Sequence, residues 1–98
     1  MKVTSIVFKE HQILGMDYDA YYREPDYFTV TADGITREVC VDITQCTYSM
    51  VKPTLADTLK RKFGDKCENI DEAFQMYWKT LPSKYKPFSG ENGVTQFR

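Results

Sequence analysis

No stretch of these 98 residues approaches the ~20 consecutive apolar residues of a membrane-spanning helix, so that class of protein is excluded first. Between Met1 and Lys9 the apolar run is only Ile6-Val7-Phe8, short of a signal-peptide core. The last residues, Val94 to Arg98, carry no lipidation pattern. These absences predict a cytoplasmic protein with no membrane partner. Cysteine is scarce and odd in number: Cys40, Cys46 and Cys67 read as reduced thiols rather than a disulfide framework.

Histidine is rarer still, and His11 is the only one. A zinc site would have to gather His11, Cys40, Cys46 and Cys67, none of which stand at the two-residue knuckle spacing. A Cys-His nucleophile pair would depend on the same imidazole and shows no orienting third residue. Neither Gly-x-Gly-x-x-Gly nor a phosphate loop occurs. Pro25-Asp26 opens like a restriction-type nuclease signature, but the following strand offers Glu38-Val39-Cys40 and Asp42-Ile43-Thr44, without the required lysine. The acid pairs Asp17/Asp19 and Asp71/Glu72 lack a neighbour that would drive their pKa values apart. The expectation is therefore no metal, no cofactor and no enzyme.

What is present is the material of one small globular domain: 42% hydrophobic, 28% charged, with a formal net charge of −1. The clearest local pattern runs from Asp26 to Ile43 around Asp33-Gly34, a pair that suits a two-residue hairpin turn because both positions need positive φ. Closing the turn there sets Phe28 opposite Val39, Val30 opposite Arg37 and Ala32 opposite Ile35. One face then holds Phe28, Val30, Ala32, Ile35, Val39, Val41 and Ile43, with Arg37 the exception. Residues 2–9 read as a further strand and 12–18 as another, with a loop over roughly 19–25.

After Ile43 the period changes. Lys52-Pro53 reads as a stop, and Thr54 as the N-cap of a helix over about 55–63, with Leu55, Leu59 and Phe63 on one stripe and Gly64 as its left-handed cap. A second helix over about 70–81, capped by Asn69 or Asp71, carries Ile70, Ala73, Phe74, Tyr77, Trp78 and Leu81 on its apolar face, with Tyr77 and Trp78 expected in the core. The residues from 83 to 98 read as a loose tail or, at 93–97, an edge strand. Strands first and helices last predict an α+β domain, with a three- to four-stranded antiparallel sheet covered on one face by two C-terminal helices.

Charge is unevenly spread. Residues 1–51 hold four Lys+Arg against eight Asp+Glu, a balance of −4, and residues 52–98 hold nine against six, a balance of +3. The acidic half contains Tyr18, Asp19, Tyr21, Tyr22, Glu24 and Tyr27, too many rings in ten residues for one small core to absorb. Tyrosine gives contact area with a polar end, so this segment predicts a protein-binding surface for a partly basic partner. The expected role is a non-catalytic interaction module, an inhibitor or modulator of a larger protein such as phages and mobile elements encode. The alternative is a nucleic-acid-binding domain using Lys60, Arg61, Lys62, Lys66, Lys84, Tyr85 and Lys86. A third possibility is self-association of the two oppositely charged halves.

Overall fold

The computed structural model describes residues 1–15, 22–44 and 46–86. Three strands, β1 (Val3–His11), β2 (Asp26–Ala32) and β3 (Ile35–Val41), precede two helices, α1 (Tyr48–Phe63) and α2 (Ile70–Thr80), and a 3-10 turn at Ser83–Tyr85. The strands form one antiparallel sheet in the order β1-β2-β3. On one face of it, α2 packs on β1 and α1 on β3. This is the α+β arrangement expected from the order of strand and helix patterns.

The β2–β3 hairpin follows the register dictated by its turn. Phe28 pairs with Val39, Val30 with Arg37 and Ala32 with Ile35, across Asp33 and Gly34 at φ 50° and 78°. Phe28, Val30, Ala32, Val39, Val41 and Ile43 are buried, whereas Ile35 is 49% exposed. Arg37, the polar exception on that face, is exposed and reaches the C-terminal end of α1. Its Nη1 donates to the Lys62 carbonyl over 2.9 Å and its guanidinium sits over Phe63, a cation placed at the negative end of α1.

Several expectations need correction. α1 begins at Tyr48 rather than residue 55, with Thr47 at the cap position and Pro53 inside the helix. Proline forfeits one backbone hydrogen bond there, but Val51 extends the buried stripe of Leu55, Thr58 and Leu59 by a turn, which is sufficient reason for the helix to run through. Thr54, read as an N-cap, instead donates its hydroxyl to the Met50 carbonyl at 2.8 Å. The described part of the expected strand 12–18 is not a strand of the sheet. Leu14 pairs with Arg23 as an isolated bridge, leaving three strands among the described residues. Finally, the tail is docked at its start: Ser83–Tyr85 forms the 3-10 turn, while 87–98, including the edge strand expected at 93–97, lie outside the described residues.

The second helix is anchored by Tyr77 rather than Trp78. Tyr77 is fully buried, 4.9 Å from the Phe28 ring, and Trp78 is only half-buried. Adjacent helical residues point ~100° apart, so an apolar stripe centred on Ala73 and Tyr77 leaves Trp78 at its border. Asn69 occupies the N-cap position, yet its side chain does not cap α2. It receives the Val3 amide at 2.9 Å and donates to the Val3 carbonyl at 2.8 Å. With the Thr80 hydroxyl accepting the Phe8 amide at 3.0 Å, α2 thereby covers the outer edge of β1.

Candidate functional site

The first polar constellation arises from an irregularity in β1. An extra residue at Lys9 separates the pair Phe8/Phe28 from Glu10/Tyr27 and His11/Asp26. Simple alternation from Phe8 would turn His11 to the open face; the bulge turns it inward, onto the side of the core. There its Nδ1 lies 2.6 Å from Asp26 Oδ1 and its Nε2 lies 2.9 Å from Glu24 Oε1. The Tyr22 hydroxyl donates to the other Glu24 oxygen, and the Glu24 amide donates to the Thr44 hydroxyl, which in turn donates to Asp42 at 2.6 Å. Tyr85 closes the cluster by stacking on the imidazole, 3.8 Å between centroids.

Burial governs the electrostatics here. The Asp26 side chain is 1% exposed, and loss of hydration raises its pKa to about 6 against the pull of His11. Glu24 moves the other way, held below its ordinary value by the Tyr22 hydroxyl and then by His11. Because both ring nitrogens meet carboxylates and the ring is shut in by Tyr85, neither nitrogen faces a vacant substrate position. The cluster ties the 22–25 segment, β1, β2 and the 3-10 turn together. A lone histidine in the sequence gives no hint of it; only the bulge reveals the pairing.

Of the acidic tyrosine segment, Tyr22 and Glu24 are thus drawn into this internal network. Tyr27 lies half-buried on the open face of the sheet, where its hydroxyl meets the Cys40 thiol, a contact that raises the tyrosine pKa. Tyr18, Asp19 and Tyr21 lie outside the described residues.

A different aromatic group is presented outward. Where the start of α1 meets the end of α2, Tyr48 lies 5.2 Å from Trp78 at a steep angle, and Phe74 stacks on Trp78 at 5.7 Å. With Gln75, Met76 and Lys79 these rings line a surface cleft of about 490 Å³. Tyr48 is 39% exposed and neighbouring Met50 52% exposed. Lysines rim the rings: Lys52 over Phe74 at 5.7 Å and Lys86 over Trp78 at 5.3 Å. Sequence reading missed the cleft because it assigned Trp78 to the core and Tyr48 to the stretch before the helix.

The basic residues do not form one patch. Lys60, Arg61 and Lys62 occupy the last turn of α1, with Lys66 shortly after. Lys84 stacks on Tyr85 and Lys86 on Trp78, at the Tyr48 end of α1. Twelve residues of helix, about 18 Å, separate the two groups along α1. The cysteines are likewise dispersed: Cys40 is exposed on the open sheet face, Cys46 is near Thr54, and Cys67 is buried beside Asn69. All three are free thiols, and among the described residues no group of three or more His, Cys, Asp or Glu side chains is arranged to hold a metal ion. No family model matches this chain, and neither a curated protein nor a solved structure matches it.

Proposed function

We propose that this chain is a small non-catalytic protein-interaction domain, acting as an inhibitor or modulator by covering a site on a larger protein. The observation that carries this reading is the Tyr48–Phe74–Trp78 cleft with exposed Met50 beside it. Trp and Tyr are frequent hot spots of protein interfaces and Phe and Met are enriched there. Here Tyr48 and Met50 are exposed, while Phe74 and Trp78 pack against the core with one side and line the cleft with the other. The lysines at the rim favour a partner whose apolar side chains are ringed by acidic groups. Reduced thiols at Cys40, Cys46 and Cys67 fit a cytoplasmic setting.

The aromatic rings favour protein over single-stranded nucleic acid. Trp78 already carries Phe74 against its ring, Tyr48 at an angle and Lys86 above, so little indole face is left for a base. The test is affinity purification from the native cells with nuclease treatment, comparing the wild type with a Tyr48→Ala/Trp78→Ala variant and a Lys60→Glu/Arg61→Glu/Lys62→Glu variant. Partners retained after nuclease and lost with the aromatic variant are expected. Partners removed by nuclease and lost with the charge-reversed variant would replace this reading with nucleic-acid binding, whereas protein partners that survive nuclease but are lost only with the charge-reversed variant would move the contact from the cleft to the end of α1.

A further inference from the structure

We propose that β3 is a strand-addition site for an extended acidic segment of another protein. The sheet order leaves β1 and β3 as edges, and α2 covers β1 through Asn69 and Thr80. β3 has no such cover among the described residues. In a hairpin closed by a two-residue turn, hydrogen-bonded and non-bonded pairs alternate outward from Ala32/Ile35. Thr36, Glu38 and Cys40 therefore direct their amides and carbonyls away from β2. Their pairing is regular throughout, without the bulge or proline that commonly blunts an edge.

Beside this edge runs a groove of about 240 Å³ between β3 and α1, lined by Val39, Cys40, Thr58, Arg61 and Lys62. The two cations give the incoming strand its chemistry. An added strand would place alternate side chains toward α1, where acidic ones meet Arg61 and Lys62, and main-chain hydrogen bonds would supply register. A second copy of this chain fits less well. The full-length antiparallel self-pairing is centred on Glu38 and sets that carboxylate directly opposite its own copy, a destabilising cross-strand pair.

The experiment uses the full chain in two steps. Amide exchange on the free protein should be fast at Thr36, Glu38 and Cys40 and slow at Arg37, Val39 and Val41, whose amides face β2. A display library of random ten-residue peptides is then panned on the protein. Enriched peptides should alternate Asp or Glu with β-branched residues, slow exchange at Thr36, Glu38 and Cys40, and bind at least tenfold more weakly to two variants. Glu38→Pro removes an outward-facing amide while leaving the bonds to β2, and Arg61→Glu/Lys62→Glu reverses the groove charge on exposed positions. Slow exchange at the three amides in the free protein overturns the proposal. So does enrichment of basic peptides, protection elsewhere, binding indifferent to both variants, or no enrichment above the Glu38→Pro control.

Discussion

The rings of His11 and Tyr85 lie face to face, 3.8 Å apart and within 5° of parallel. One residue comes from the end of the first strand and the other from the turn after the last helix, so a contact spanning most of the chain seals the Asp26 carboxylate from water. Phe8 stands behind Tyr85 at 5.9 Å and extends the apolar wall. The polar cluster is therefore a closed structural joint, and its buried charge should be visible in the pH dependence of folding.

Asp26 titrates at about 6 in the folded chain against an ordinary 3.8, so the folded state holds this proton more tightly than the unfolded state does. Its contribution to stability is complete below about pH 4 and is lost as pH rises through 6. At ~1.4 kcal/mol per pH unit, the loss by pH 7 is of the order of 3 kcal/mol. Glu24, lowered by Tyr22 and His11, opposes this at the acid end, where its contribution vanishes as it is protonated. Asp26→Asn keeps an oxygen to accept from His11 Nδ1–H and removes the titration. Urea midpoints at pH 4, 5.5 and 7 should show the variant gaining on the wild type as pH rises; a constant difference would show that burial does not perturb Asp26.

Tyr77 offers a test of a buried cost. Its hydroxyl is enclosed without a hydrogen-bond partner among the described residues, and burial raises its pKa. Leaving such a group unsatisfied costs about 1–3 kcal/mol, so Tyr77→Phe is expected to stabilise the domain by about 1 kcal/mol. Tyr77→Ala should destabilise it by about 3–5 kcal/mol through the cavity left against Phe28. Chemical denaturation of the two variants separates the hydroxyl from the ring.

Trp78 should behave differently from Tyr77. Half-buried at the cleft, it loses only part of its surface on folding, and Trp78→Ala should cost about 1–2 kcal/mol, against ~3–5 kcal/mol for a fully buried aromatic. The thermal midpoint should fall less than for Tyr77→Ala. An equal fall would place Trp78 in the core and remove the main support for the cleft as a contact surface.

The hairpin was legible because turn chemistry and alternation agree: Asp33-Gly34 fixes one register, and that register alone gathers Phe28, Val30, Val39 and Val41 on one face. The end of α1 was legible in the same way from Gly64, found at φ 75° with its amide bonded to the Lys60 carbonyl. Its start was obscured because Pro53 carries a strong local stop signal, whereas the opposing signal, Val51 one turn before Leu55, acts only once the helix meets the sheet. The His11 cluster was illegible for a related reason. A bulge at Lys9 reverses the face of every later residue in β1, and no local pattern in residues 3–11 marks it.

Asn69 brings two physical effects into direct opposition. As the residue at the start of α2, it would gain from a negative charge, and Asn69→Asp should then stabilise by about 0.3–1 kcal/mol through the helix dipole. The observed side chain is engaged elsewhere: its Nδ2 donates to the Val3 carbonyl, which a carboxylate cannot do. Aspartate would lose that bond and set like partial charges together at a part-buried edge of the sheet. Removing one partner of such a bond costs about 1–3 kcal/mol, more than the dipole returns. Asn69→Asp is therefore expected to destabilise by about 1–2 kcal/mol at pH 7. The amide of Val3 should also exchange faster, since the bond from Val3 to Oδ1 depends on the same rotamer. A rise in the urea midpoint would instead mean that Asn69 acts as an ordinary helix cap, and that β1 is held to α2 by apolar packing alone.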